Sequence, residues 1–216
     1  MQPQGENFDY FKLIFDFYRQ LRRLGLNIDI VAPDELPDKP YKLMVVPGLM
    51  TLDHARINRF RERAEHLLIG PRSGSRTDNF HIDPEQPQGF DSMKPLRVES
   101  LRPNLHVQTA RGEISTWFEH FETQASNVWL ATTEGHPAVI REQSSTYLCG
   151  WPSDKLLKSI LVDTMNELCI DYLDLPEGLR VRETQEYRFW FNYDSKPCTY
   201  LDKTIGPADV RIEPRV

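Results

Sequence analysis

The sequence has few cysteines, no excess of basic residues and no long apolar run, and each absence excludes a class of protein. Its three cysteines, Cys149, Cys169 and Cys198, are odd in number for a disulfide framework and too widely spaced for a CxxC metal clip. The net charge of −6 gives no basic footprint for nucleic acid. No apolar stretch approaches the roughly 20 residues of a membrane span, and the N-terminal residues lack a secretory signal. We therefore expect a cytoplasmic protein with neither nucleic acid nor membrane among its partners.

The histidines show no spacing typical of metal ligands. None of the 6 histidines takes part in an HxH or an i, i+4 pair, the patterns that bring two imidazoles to one ion. We expect no metal site and no cofactor.

The order of helices and strands predicts an α/β fold. An apolar periodicity of three to four residues indicates a first helix that stops at Gly25. Strands are predicted at Asn27–Ala32 and Lys42–Val46, followed by a helix over Ala55–Ala64 and a third strand from Leu67. This order, with right-handed crossovers, favours a flavodoxin-like or class I glutamine-amidotransferase-like sheet with flanking helices.

The first helix is predicted to bury one apolar stripe and to expose its charged residues. The charged positions are Lys12, Asp16, Arg19 and Arg22, which occupy the opposite face. The residues expected in the buried stripe are Phe8, Phe11, Ile14, Phe15, Tyr18 and Leu21.

The middle of the chain combines a long irregular excursion with a run of strands. Residues 72–104 are rich in proline and show no periodicity, which is unusually long for a connection without a function. Several strands are predicted between Leu105 and Gly150. Ser153 is positioned to cap a last helix whose apolar stripe extends to Tyr172.

The end of the chain is predicted to form a separate small unit. Pro176 and Gly178 break the helix, and the following segments have the length and alternation of short antiparallel strands. We predict an amidotransferase-like domain over residues 1–176 and a small C-terminal β-domain over residues 177–216.

The third strand runs into a glycine-bracketed turn, Gly70-Pro-Arg-Ser-Gly74. At the carboxyl end of a strand in an α/β sheet, a Gly-x-nucleophile-x-Gly elbow would carry Ser or Cys. Position 72 holds Arg72, whose guanidinium stays protonated and cannot attack a carbonyl. Cys149 lies on a late strand, where the ordinary role of cysteine is core packing. The sequence therefore argues against covalent amide chemistry at this turn and at Cys149.

Two carboxylates, Glu119 and Glu122, are the candidates for a glycosidase pair. On one strand these positions point to opposite faces. We interpret them as part of a solvated strand edge.

A polar cluster follows the third strand, formed by Arg72, Ser73, Gly74, Asp78 and Asn79. We expect Arg72 to pair with Asp78 and so to order the long loop. The alternative is a contact with a ligand or a neighbouring subunit, because bidentate arginine is favoured at interfaces.

Aromatic residues are dense on the strand that includes Trp117, Phe118 and Phe121. Alternation places Trp117 and Phe121 on one face. If exposed, they would indicate an oligomer face or a sugar platform, whereas core packing is the ordinary alternative. We count Trp117 and Phe121 with the polar cluster as candidate residues of a subunit boundary.

Several segments carry a resemblance to a known family. They are Tyr18–Asp29, Tyr41–Leu52, Gly70–Asn79, Glu177–Arg182 and Tyr187–Tyr193. Together they resemble the C-terminal region of glycoside hydrolase family 42 β-galactosidases, which consists of a trimerisation domain and a small terminal β-domain. The most specific part of this resemblance is the block from Arg72 to Asn79.

The resemblance implies a chain without catalytic residues of its own. The family's catalytic part is a (β/α)₈ barrel with two glutamates, and such a barrel takes about 250 residues, more than this whole chain. Hydrolysis of terminal β-D-galactosides with retention would belong to that barrel, and galactoside would meet the protein only there. The partner implied for this chain is another copy of itself, in a trimer that frames the active sites.

Two other interpretations stay open at this point. One is a stand-alone amidotransferase-like hydrolase with an unrecognised nucleophile. The other is a carbohydrate-binding module that uses Trp117, Trp129 and Trp190.

Overall fold

The computed structural model describes residues 9–82, 87 and 89–215. In these ranges the helices are α1 (Tyr10–Arg23), α2 (His54–Arg63) and α3 (Asp154–Glu167), with a 3-10 turn at Ala125–Asn127. The strands are β1 (Tyr41–Val46), β2 (Ala64–Ile69), β3 (Lys94–Ser100), β4 (Val107–Thr109), β5 (Gly112–Glu122), β6 (Val128–Ala131), β7 (Pro137–Glu142), β8 (Ser145–Leu148), β9 (Gly150–Pro152), β10 (Leu179–Glu183), β11 (Tyr187–Asn192), β12 (Cys198–Tyr200), β13 (Lys203–Ile205) and β14 (Val210–Pro214).

The main sheet has the strand order β1-β2-β8-β7-β6. Strands β1, β2 and β8 are parallel, and β7 and β6 continue the sheet in antiparallel fashion. Leu67, Leu68 and Ile69 on β2 are completely buried, as expected for a parallel strand covered on both faces. The prediction of a mixed α/β fold is confirmed at this level.

A second sheet is built around the long strand β5. This strand pairs with β3, β4 and β9, and its pairing with β9 is interrupted between Ser115 and Phe118. Thr116 in this bulge has a φ of 61°, which is rare for a β-branched residue. The segment of residues 72–104 therefore contains one regular element, strand β3. This strand is stabilised by pairing with β5, which lies outside the segment, so the local sequence pattern did not reveal it.

The C-terminal residues form the expected small antiparallel unit. Strands β10, β11 and β14 make one sheet, and β12 and β13 make a hairpin. Leu175, Leu179, Val181, Trp190 and Ile205 form a hydrophobic cluster separate from the main core.

Helix α1 buries a different face from the predicted one. Leu13, Phe17 and Leu21 face the core, whereas Phe11 is 77% and Phe15 is 48% exposed. Leu21 is buried as predicted, but the rest of the predicted stripe was wrong, because α1 carries two apolar stripes and the i, i+4 series from Leu13 to Leu21 is the one that packs into the core. Phe8, also assigned to the stripe, lies outside the described residues.

The predicted strand at Asn27–Ala32 was also wrong, since residues 27–32, all of them described, contain no strand. The segment is held by side chains instead of a backbone ladder. The Asn27 amide exchanges hydrogen bonds with the main chain of Glu183 at 3.0 and 3.1 Å, and Tyr41 Oη donates to Asp29 at 3.1 Å. The prolines that follow lack the N–H groups that would extend a strand.

Helix α3 starts as predicted and ends earlier. The Ser153 hydroxyl accepts a hydrogen bond from the Leu156 N–H, and Leu157, Ile160 and Leu161 are buried. The helix stops at Glu167, five residues before Tyr172. None of the helices seen in the described ranges combines the length and apolarity that a membrane crossing requires.

Candidate assembly site at the end of strand β2

The turn after β2 is fixed by backbone contacts. A Cβ on Gly70 would overlap the carbonyl oxygen of Pro47, which follows β1, so this position requires glycine. The Gly70 N–H donates to the Val46 carbonyl at 2.8 Å, and the Gly74 N–H donates to the Leu49 carbonyl at 2.9 Å. The ends of β1 and β2 are thereby held together around the turn.

Arg72 has a left-handed backbone and a buried side chain. Its φ is 66°, a conformation that non-glycine residues adopt only when their surroundings impose it. The Ser73 hydroxyl donates to the Gly70 carbonyl at 2.9 Å, and the Ser75 hydroxyl donates to the Arg72 carbonyl at 2.7 Å. Both serines are buried, so their hydroxyls fix the turn and do not face solvent.

The carboxylate that holds Arg72 is Glu119, on β5. Its Oε2 accepts a hydrogen bond from the Arg72 N–H at 2.8 Å, and its Oε1 lies 3.0 Å from the Arg72 Nη1. Tyr147 on β8 donates its hydroxyl to the same carboxylate at 2.9 Å. The expected pair between Arg72 and Asp78 was wrong, because Asp78 is exposed and accepts from Arg56 at 3.0 Å.

Glu119 was also misplaced by the sequence interpretation. It is buried rather than part of a solvated edge, because β5 lies between β3 and β9. Glu122, three residues later, is exposed as expected. No local signal marks Glu119, since its partner Arg72 is 47 residues away in the sequence.

The electrostatics of this cluster do not support a nucleophile. Burial raises the pKa of Glu119, and the positive charge of Arg72 opposes that rise. Burial and the nearby Glu119 raise the pKa values of both Tyr147 and Cys149 well above their ordinary values. A thiol that is buried and kept protonated is chemically inert.

The aromatic candidates divide between core and half-buried positions. Phe121 is buried, and its ring lies 5.5 Å from the ring of Tyr147. Trp117 is half-buried, with the Arg72 guanidinium 5.4 Å from its ring. Phe121 is thus inaccessible to a neighbouring subunit, because its side chain is buried within this chain.

The tryptophans proposed for a sugar platform are engaged within the chain. The guanidinium groups of Arg111 and Arg141 lie 4.6 and 4.0 Å from the centre of the Trp129 ring. Trp190 is buried and donates its indole N–H to Glu213 at 3.1 Å. These contacts leave little open ring surface for stacking a sugar.

The rest of the polar cluster lies in an exposed hairpin. Asp78 and Asn79 are at its turn, followed by Phe80 with a φ of 59°. The Thr77 N–H donates to the His81 carbonyl at 2.9 Å, and the Phe80 N–H donates to the Thr77 carbonyl at 2.8 Å. Among the described residues, no group of three or more His, Cys, Asp or Glu side chains is arranged to hold a metal ion.

Comparison with known proteins identifies the family. A sequence profile of the β-galactosidase trimerisation domain matches residues 1–171, and a profile of the β-galactosidase C-terminal domain matches residues 178–215. The chain belongs to the glycoside hydrolase family 42 β-galactosidases. The resemblance inferred from the sequence segments is thereby confirmed.

Individual β-galactosidases extend this result. The chain is 40% identical to the β-galactosidase BgaA of Thermus sp. over 98% of its own length, and 38% identical to a β-galactosidase of Thermus thermophilus. It superposes on the β-galactosidase of the psychrophilic Marinomonas ef1 with a TM-score of 0.89, at 28% identity and over 98% of this chain. It spans only about a third of each, 35% of the two Thermus proteins and 34% of the Marinomonas structure. The family 42 chain therefore corresponds to the C-terminal region of these enzymes.

Proposed function

We propose that this chain is the non-catalytic, assembly-forming portion of a β-galactosidase-like enzyme. The observation that carries the proposal is the match of residues 1–171 to the β-galactosidase trimerisation domain. In the parent enzyme, hydrolysis of terminal β-D-galactosides with retention would take place in the part of the relatives that this chain does not cover. The assembled chain would frame those active sites.

The cluster at the end of β2 supports a structural role for this position. An elbow nucleophile would have to be accessible and activated, whereas position 72 is a buried arginine held by Glu119. Within the proposal, Arg72, Ser73 and Gly74 organise the turn, and Asp78, Asn79 and Trp117 lie at or near the assembly surface.

The finer fold and domain assignments belong to the same proposal. Parallel strands β1, β2 and β8 with their connecting elements support a flavodoxin-like or amidotransferase-like unit. Two separate hydrophobic clusters support a division into two units, residues 1–176 and 177–216, with Leu175 from just before the boundary packing into the second cluster. Cysteines without disulfides agree with a cytoplasmic location.

The oligomeric state of the chain tests this function. Sedimentation equilibrium is expected to show a trimer at micromolar concentration. A strict monomer at high micromolar concentration would contradict assembly by this region.

A second measurement tests whether the chain lacks a reactive nucleophile. An electrophilic glutamine analogue is expected to leave Cys149 unlabelled in mass spectra, because its thiol is buried and protonated. Labelling of Cys149 in the folded chain would favour the amidotransferase-like hydrolase instead.

A further inference from the structure

Three arginines surround one carboxylate where the C-terminal unit meets the first helix. Arg19 and Arg23 lie one turn apart on α1, and Arg180 lies on β10. The carboxylate belongs to Glu177, in the turn before β10. Its Oε2 lies 3.0 Å from Arg23 Nη1, and its Oε1 lies 3.7 Å from Arg19 Nη1 and 3.8 Å from Arg180 Nη2. We call Arg19, Arg23 and Arg180 the arginine cradle.

The carboxylate of Glu177 uses only part of the hydrogen-bonding capacity of the arginine cradle. Two of its three contacts are longer than a charge-assisted hydrogen bond, which spans about 2.7–2.9 Å. In the part of the chain that the structure describes, the Nε atoms of Arg19 and Arg23 are buried without a hydrogen-bond partner. The Glu177 side chain is 61% exposed. It can therefore rotate into solvent without disturbing the core.

The charges at this junction do not balance. Arg22 adds a fourth guanidinium, and Asp154, which pairs with Arg19, adds a second carboxylate. Among the described residues, four guanidinium groups and two carboxylates leave two positive charges in excess, although the whole chain has a net charge of −6. Burial lowers the pKa of Arg180; Glu177 opposes this change, and the positive charges of the other three arginines reinforce it. A further anion would relieve this repulsion.

The arginines are held in place by contacts on both sides of the junction. The Arg22 guanidinium donates to the carbonyls of Leu26 and Val181 at 2.6 and 2.7 Å, and Arg180 Nη1 donates to the Leu179 carbonyl at 2.7 Å. The side chains of the arginine cradle are only 15–29% exposed, so this chain itself supplies the walls of the site. A group of donors that is already ordered loses little entropy when a ligand binds.

A tetrahedral oxyanion has the charge and the number of acceptors that suit this arrangement. A phosphate monoester carries a charge of about −1.5 to −2 at pH 7 and has three acceptor oxygens. It could accept from each of the three guanidinium groups, whereas the two oxygens of Glu177 approach only Arg23 closely. Arginine is also the side chain whose planar fork matches phosphate geometry.

We propose that the arginine cradle binds a phosphate group, free or as a monoester, and that this ligand displaces the carboxylate of Glu177. The bound group contacts α1 and β10 at once and so strengthens the attachment of the C-terminal unit. No bond is made or broken in this step. The site is independent of the oligomeric function proposed above.

Thermal unfolding of the chain in sodium phosphate at pH 8 tests the site. Sodium chloride keeps the ionic strength constant, so that screening does not change. The unfolding midpoint should rise with phosphate concentration, because a ligand that binds only the folded state stabilises it. Glu177→Gln removes the competing charge and should lower the apparent Kd at least tenfold. Arg23→Gln removes the closest guanidinium and should raise it at least tenfold.

Two matched variants and a fold check control this experiment. Glu167→Gln removes an exposed carboxylate from a single arginine, Arg141, and Arg59→Gln removes an exposed arginine from an ion pair of α2. Neither should change the apparent Kd, and circular dichroism checks that each variant is folded. A midpoint that rises equally in the wild type and in Arg23→Gln is a general effect of phosphate on stability and overturns the proposal. A Glu177→Gln chain that binds no more tightly than the wild type also overturns it.

A comparison of inorganic phosphate with glucose 6-phosphate distinguishes the two sources of the phosphate group. Tighter binding of the monoester assigns the site to a phosphorylated metabolite, and tighter binding of inorganic phosphate assigns it to the free anion. If neither probe shifts the midpoint of the wild type or of Glu177→Gln, the site is overturned. The oligomeric state of the chain does not enter these outcomes, so the phosphate site and the assembly function can fail separately.

Discussion

The turn at residues 70–75 and the hairpin at residues 76–82 are adjacent in sequence and have opposite environments. The turn places a charged residue, Arg72, inside the protein, and the hairpin places an apolar residue, Phe80, in solvent. Both residues have a positive φ. This reversal of the usual distribution of charged and apolar residues separates two environments: the ion pair within the chain fixes the turn, and the ring of Phe80 stays exposed.

The largest expected effect comes from removing the buried carboxylate of Glu119, which pairs with Arg72 in the turn. Glu119→Ala should lower the free energy of unfolding by about 3–5 kcal/mol, because it leaves the Arg72 guanidinium buried without its countercharge. Urea denaturation measures this loss. Glu122→Ala, at an exposed position of the same strand, should cost less than about 1 kcal/mol. Equal losses in the two variants would mean that the buried pair is not what fixes the turn.

A smaller effect is expected from the third partner of the same cluster. Tyr147→Phe removes the hydroxyl that donates to Glu119 at 2.9 Å, and the expected loss is about 1–3 kcal/mol, since the acceptor is buried. Tyr41→Phe removes the same group from the exposed carboxylate of Asp29 and should change stability by less than about 0.5 kcal/mol. A Tyr147→Phe chain as stable as the wild type would contradict the assignment.

Substitution of the exposed Phe80 should raise the free energy of unfolding, whereas the substitutions in the buried cluster lower it. Phe80→Gly relieves a left-handed backbone and should raise the free energy of unfolding of the monomer by about 0.5–1 kcal/mol. Phe80→Ala, which keeps a Cβ in the left-handed conformation, should show no such gain. A Phe80→Gly chain that is less stable as a monomer would show that the ring contributes to its own fold.

The smallest expected effect is a change in stability with pH that comes from the buried carboxylate of Glu119. Burial raises the pKa of Glu119 in the folded chain above its ordinary value near 4.5, so the folded state holds this proton more tightly than the unfolded state. Its contribution to stability is greatest below that value and is lost as the pH rises through the folded pKa. Relative to Glu119→Gln, the wild type should lose stability as the pH rises above about 4.5. A difference that does not vary with pH would contradict this direction.

The sequence predicted the elements that are determined locally. The short antiparallel strands after Gly178 were predicted correctly, as was the Ser153 cap of α3. The covered face of α1 could not be read from periodicity, because both of its stripes are apolar. The Arg72–Glu119 pair was missed for a related reason: its two residues meet only after β5 has paired within the fold, and the nearer acidic residue, Asp78, was the apparent partner.

The left-handed turn at Arg72 also bears on how the chain could change in evolution. If a cysteine stood at position 72, as in Arg72→Cys, its thiol would be buried beside the carboxylate of Glu119. A negative neighbour and burial both keep a thiol protonated. The same substitution would also leave the buried carboxylate of Glu119 without the guanidinium that pairs with it. A single substitution therefore does not create an elbow nucleophile here, because the carboxylate of Glu119 makes the surroundings of position 72 specific for a cation.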